Sequence, residues 1–138
     1  MLPVGYKFPG FEYVVRETKA DEYARAVGSR LSPINDSFEA PLGFVFFVTV
    51  QDTGSIFRAL GLKWQNVLYG GSEFNFCRPA EVGMTLVGST EFTSYEEKGS
   101  RNRIGILKLD TWYKLKSGED IFSERASVIA LGGMNETI

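Results

Sequence analysis

The segment PLGFVFFVTVQDTGSIFRALG, residues 41–61, decides the architecture. Pro41 suits a first helical position, where its missing N–H is not needed. From Leu42 to Leu60 the chain carries Phe44, Phe46, Phe47, Val48, Ile56 and Phe57 with little polar alternation. An apolar run of this length predicts a helix buried on most sides. Gly54 interrupts the run and Gly61 follows it. For Phe44 to Val50 a strand is the alternative, because these residues are also β-prone.

After Gly61 the pattern changes to period two. Strands are predicted over Val67–Arg78, Met84–Tyr95, Asn102–Leu115 and Ile121–Leu131. Glycine-containing turns at residues 96–100 and 116–120 join the last three as an antiparallel meander. The Gly70-Gly71 pair inside a strand predicts a bulge or a close backbone approach. Upstream, Met1 to Pro9 reads as an extended arm, and Phe11 to Val15 as a short strand. Thr18 is expected to cap a helix from about Lys19 to Val27, with Tyr23, Ala26 and Val27 on one face and Gly28 stopping it. Ser29 to Ala40 is polar, contains Pro33, and is expected to be an irregular loop. Gly132 to Ile138 is expected to be loose. A long apolar helix with an antiparallel sheet gives the α+β class and suits a hot-dog fold. Periodicity alone leaves a cystatin-like or other helix-on-sheet fold open.

The 138 residues are expected to form one domain, 1–138. A net charge of −2 argues against nucleic acid or an anionic membrane as the main partner. The single cysteine, Cys77, excludes an internal disulfide and fits a reducing, cytoplasmic setting. No secretory signal is read at the N-terminus, and the longest apolar stretch, Leu42 to Val50, is too short to span a bilayer. There is no histidine at all. With one cysteine besides, no metal site is expected, and no cofactor. Eleven phenylalanines imply a thick core or a large apolar interface.

Several motifs carry a resemblance. Tyr23-Ala24-Arg25-Ala26-Val27-Gly28-Ser29-Arg30-Leu31-Ser32-Pro33-Ile34-Asn35 resembles, with one extra residue, a hydratase signature. That signature runs aromatic-x-x-x-(Val/Ile)-Gly-Asp-x-Asn-Pro-(Leu/Ile)-His. Ala40-Pro41-Leu42-Gly43-Phe44 resembles the Ala-Pro-x-Thr-Phe opening of a central helix. Leu68-Tyr69-Gly70-Gly71-Ser72-Glu73-Phe74 resembles a Leu-His-Gly-Gly-Gln-Glu-Phe strand. Phe76-Cys77-Arg78-Pro79 and Val82-Gly83-Met84-Thr85-Leu86 continue the series. In order and spacing, these motifs resemble those of the MaoC-like hot-dog dehydratases and hydratases. The closest likeness is to the N-terminal-type domains that act as substrate-binding partners in heterodimeric (R)-3-hydroxyacyl-thioester dehydratases.

The resemblance implies a hot-dog sheet wrapped around a long central apolar helix. It also implies an acyl-CoA or acyl-ACP thioester as ligand, and a hot-dog partner subunit or a homodimer. Adding water across an unsaturated thioester needs a base and an acid; histidine serves because its pKa lies near working pH, and a carboxylate pairs with it. Here the family's Asp and His positions fall on Ser29 and Asn35, which cannot do that work. Asp36 and Glu39 are the nearest carboxylates, and burial would have to raise their pKa first. The implied role is a non-catalytic, substrate-shaping subunit. The alternatives are a homodimeric binder of acyl-CoA or another small apolar ligand, and a carboxylate-only enzyme: a hydratase using Asp36 or Glu39, or a thioesterase using Glu73, Asp52 or Glu39.

The residues implied to meet substrate are Phe44, Phe47, Tyr69, Gly70, Gly71 and Arg78. One of Phe44, Phe46 and Phe47 is expected to line an acyl tunnel or a dimer seam, since a helix cannot hide all three in one direction. Arg78, Lys98, Arg101 and Arg103 are candidates for phosphate contacts, with a solvated turn as the plainer reading of the last two. Cys77 is expected to be a small core residue.

Overall fold

The computed structural model describes residues 2–134. Met1, and the expected loose end from residue 135 onward, lie outside the described residues. The segment just before that end is anchored: Met134 is buried, and its N–H donates to the Tyr95 hydroxyl.

The central helix forms as the helical reading required. It comprises α2 (Phe44–Thr49), a 3-10 turn (Val50–Asp52) and α3 (Thr53–Ala59). Phe44, Val45, Val48 and Thr49 are buried, at the spacing of one helical face rather than of a strand. The helix is shorter than the expected Leu42–Leu60. Residues 41–43 form a turn, with the Phe44 N–H donating to the Pro41 carbonyl. Gly43 sits where the Tyr23 hydroxyl occupies the space a Cβ would need.

Five antiparallel strands wrap this helix: β1 (Phe11–Val14), β4 (Val67–Phe76), β5 (Thr85–Lys98), β6 (Ile104–Leu115) and β7 (Asp120–Leu131). Their order is β1-β5-β6-β7-β4, so the meander fills the middle and β4 forms an edge. β5 and β6 pair further than expected: Lys98 faces Ile104, which moves the hairpin tip to residues 99–103. Along β4–β7 the register shifts between Tyr69 and Gly71, the bulge the glycine pair predicted. Gly71 takes φ +125°, a value side chains rarely adopt. The N-terminal arm lies along β5, with Gly5 and Phe8 donating to the Phe92 and Thr90 carbonyls.

Residues 32–39 correct the loop expectation. β2 (Ser32–Ile34) and β3 (Ser37–Glu39) form a small hairpin whose tip is Asn35-Asp36. Asn35 has φ +51°, a left-handed conformation that Asn tolerates better than most residues. The hairpin docks on residues 80–82 through Ala40 N–H to Ala80 O and Ser37 Oγ to Val82 O. Docking supplies order that polar composition and Pro33 conceal.

Helix α1 (Glu17–Ala26) also differs from its reading. It starts before Thr18, without a side-chain cap, and buries Ala20 and Ala24; Ala26 and Val27 are exposed. The small alanines let α1 approach α2, where Tyr23 meets Phe44 edge to face.

Two apolar clusters grip the two halves of the central helix. One joins Phe44 and Val48 to Leu86, Ile121 and Phe122. The other joins Ile56, Phe57 and Leu60 to Phe92, Leu107 and Val128. Among the described residues no helix is long and apolar enough to cross a membrane.

Candidate functional site

Between the central helix and the sheet lies a cavity of about 310 Å³. Phe46, Thr49, Val50, Asp52 and Thr53 line it from the helix. Leu109, Thr111, Tyr113, Glu124, Ala126 and Val128 line it from β6 and β7. Trp64, Val67 and Tyr69 close the β4 side. Phe46, Val50, Trp64 and Tyr69 are all substantially exposed and mark the mouth. Phe46 and Tyr69 meet there edge to face, with ring centroids 5.9 Å apart.

A polar row crosses the otherwise apolar floor. Thr90 pairs with Thr111 in the β5–β6 register, and Thr111 with Glu124 in the β6–β7 register. The two threonine hydroxyls bond each other at 2.8 Å. The Tyr69 hydroxyl donates to Ser72 Oγ and Ser72 donates to Glu124 Oε2, both at 2.5 Å. Glu124 is only 8% exposed. Burial pushes its carboxyl above the usual carboxylate range, and the bond from Ser72 partly offsets this. Burial also pushes the Tyr113 hydroxyl well up, and the negative charges of Glu124 and Asp52 add to it. On the helix side, Asp52 accepts a 2.7 Å bond from Ser55 Oγ. Among the described residues no lysine or arginine lines this cavity. The arrangement offers a buried acceptor and several hydroxyls inside an apolar envelope sized for a small ligand or one acyl chain.

The residues singled out in the sequence are scattered by this geometry. Ser29, Asn35 and Asp36 are exposed on α1's exit and the hairpin tip, off the cavity wall. Glu39 is half-buried on β3, bridged to Glu81. Tyr69 and Asp52 stand on the wall, while Glu73 is exposed on the outer face. Phe44 is wholly buried in the core, and Phe47 packs against Phe44 and Tyr13. Of the three α2 phenylalanines, Phe46 and not Phe44 or Phe47 reaches the cavity, where Phe57 of α3 joins it. The reason is angular: Phe46 and Val50 are four residues apart, on the side of the helix that the core leaves open. Gly70 and Gly71 form the bulge rather than cavity wall.

Arg78 lies between Glu81, at 3.4 Å, and Glu119, at 2.9 Å, away from the cavity. Lys98 and Arg103 pair with Glu96 and Glu97. Cys77 is exposed, not in the core, because it falls just past the end of β4. Glu124, Thr90 and Thr111 were not found by sequence reading. The signal was present: Phe122, Glu124, Ala126, Val128 and Ala130 alternate along the inward face, and only one of them is charged.

Residues 3–124 match the family model for the FAS1-like, dehydratase domain region, and the chain belongs to that family. The fold is that of a hot-dog domain. Solved structures share it. The HadBC (3R-hydroxyacyl-ACP dehydratase) complex from Mycobacterium tuberculosis is 19% identical, with a TM-score of 0.77 over 92% of this chain and 96% of that one. The R-hydratase PhaJ1 from Pseudomonas aeruginosa is 18% identical, with a TM-score of 0.69 over 94% and 82%. The ChsH1–ChsH2 complex from Mycobacterium tuberculosis is 12% identical, with a TM-score of 0.67 over 96% and 91%. No curated protein matches the chain in sequence.

Proposed function

We propose that this chain is a non-catalytic, substrate-shaping subunit of an (R)-3-hydroxyacyl-CoA or -ACP dehydratase, with the Asp/His pair supplied by a second hot-dog chain. One observation carries the reading. A largely apolar cavity lies beneath the central helix of a chain that has no imidazole, and the Ser29 and Asn35 positions stand on exposed turns away from it. Two of the similar solved structures are complexes, HadBC and ChsH1–ChsH2, and the first is a 3R-hydroxyacyl-ACP dehydratase. Edge strand β4 exposes Leu68, Tyr69 and Phe76 beside unpaired backbone groups, a surface suited to a second sheet. That surface serves a homodimer equally.

The test is hydration of crotonyl-CoA by the purified chain, by a co-expressed hot-dog chain bearing Asp and His, and by the two together. The complex is expected to turn over and this chain alone is not. Failure of any such chain to bind it, with binding of acyl-CoA retained, would favour a stand-alone binder. A second reading, a carboxylate-only hydratase or thioesterase, gains support from Glu124 and Asp52 on the cavity wall. Turnover by the isolated chain, abolished in Glu124→Gln or Asp52→Asn, would establish it against the first.

A further inference from the structure

We infer that the row Thr90–Thr111–Glu124 is a subsite for a hydroxyl group carried on the acyl chain beyond the carbons that react. The ligand class is then a hydroxylated acyl thioester rather than a plain alkyl one. This rests on the substrate-shaping reading and deepens it.

The position of the row argues for a distal group. Its three residues are each less than a tenth exposed, whereas Phe46, Trp64 and Tyr69 at the mouth are exposed. The cavity is too small for a whole CoA thioester, and no lysine or arginine among the described residues lines it to meet phosphates. The carrier therefore stays at the mouth and the acyl chain enters with its far end first.

The chemistry of the row argues for a hydroxyl. Among the described residues, Glu124 accepts one bond, from Ser72 to Oε2, which leaves Oε1 as an acceptor. The threonine pair holds two hydroxyl hydrogens and uses one between its members, so one remains to donate. The Tyr113 hydroxyl lies close enough to feel the Glu124 charge and has no hydrogen-bond partner among the described residues. The site thus offers an acceptor beside donors. A hydroxyl donates and accepts together, an ammonium only donates, and an alkyl chain does neither.

A cavity for plain alkyl chains would gain nothing from these groups. The neighbouring inward positions on the same strands are Phe92, Leu109 and Ala126 on one side and Tyr113 and Phe122 on the other. An alkyl chain pressed on Glu124 strips water from the carboxyl and returns no bond, whereas a site built for a hydroxyl rejects the analogue lacking it.

Binding can be followed by quenching of Trp64 in a Trp112→Phe background, since Trp64 lines the cavity. The probes are octanoyl-CoA and isomers hydroxylated at each carbon from the fifth to the last, with the chain alone and in its complex. At least one isomer is expected to bind about tenfold more tightly than octanoyl-CoA, a difference of ~1.4 kcal/mol. Thr111→Val and Glu124→Leu should each cut that preference to about twofold or less while octanoyl-CoA still binds. Thr111→Val, which keeps the volume and removes the hydroxyl, covers the case in which Glu124→Leu fails to fold. Octanoyl-CoA binding as well as every isomer would overturn the subsite and leave the substrate-shaping reading standing. Tighter binding of ω-aminooctanoyl-CoA than of every hydroxylated isomer would also overturn it. Binding of no thioester, with or without the partner, would remove the substrate-shaping reading and the subsite with it.

Discussion

Phe46 on the central helix and Tyr69 on the edge strand meet edge to face across the mouth of the cavity, their ring centroids 5.9 Å apart. Both side chains are about half exposed, so the contact narrows an entrance more than it holds the fold together. Phe46→Ala is expected to lower unfolding free energy by no more than ~1 kcal/mol. It should also raise affinity for branched or ring-bearing acyl-CoA several-fold relative to octanoyl-CoA. Urea titration and ligand titration on the same preparation check both parts. An unchanged ligand preference would show that the mouth lies elsewhere.

Glu124 makes a prediction about pH. Its carboxyl is raised in the folded chain by burial, so the native state keeps a proton that the unfolded chain has already lost. Stability contributed by this group is present at acid pH. It declines as pH rises from the ordinary carboxylate value through the raised one, and is constant above. Glu124→Gln removes this decline. Urea unfolding of both proteins across pH 4 to 8 should give curves that diverge toward neutrality in favour of the variant. Parallel curves would mean that the carboxyl is not perturbed.

Asn35 occupies a left-handed turn position, with φ +51°. Asn35→Gly should be neutral to within about 0.5 kcal/mol, and Asn35→Val should cost ~1–2 kcal/mol. The double change Ser29→Asp and Asn35→His restores the residue types of the hydratase signature. Because neither position lines the cavity, it should give the isolated chain no crotonyl-CoA hydration. Turnover by that variant would place the reacting carbons beside the hairpin.

Phe44 is wholly buried among Tyr13, Tyr23 and Phe47. Phe44→Ala should cost ~3–5 kcal/mol, as large-to-small core changes do. Phe44→Leu should cost less and leave acyl-CoA affinity within about twofold. A large affinity loss at unchanged stability would instead put Phe44 at the ligand.

The legible parts of the chain were those where local signals agree. Pro41, the apolar run and Gly61 mark the central helix, and the Gly70-Gly71 pair marks its bulge within two residues. What stayed hidden depends on long-range docking. The 32–39 hairpin is polar and carries Pro33, and it is ordered by bonds to residues 80–82 that no local pattern shows. The buried face of α1 was misread because alanine, the small residue that permits close approach to α2, looks weaker than Val27 on a hydrophobicity scale. In the site, aromatic residues drew notice that belonged to Thr90, Thr111 and Glu124. Each is unremarkable in its own strand, and only the pairing of β5, β6 and β7 puts the three side by side.

The bulge at Gly70-Gly71 has a consequence in parity. Side chains alternate along a strand, so residues an odd number apart face opposite ways. Tyr69 and Ser72 are three apart, yet both look inward, opposite Val128 and Ala126. The additional residue turns the odd interval into an even one. Only for that reason can the Tyr69 hydroxyl reach Ser72, and Ser72 reach Glu124. Closing the bulge with both glycines kept would restore strict alternation over three residues and send one of the two hydroxyls to the outer face. The connection from the rim of the cavity to its buried carboxyl is therefore counted out in backbone residues, and it rests on the left-handed Gly71 that holds the bulge rather than on any group that takes part.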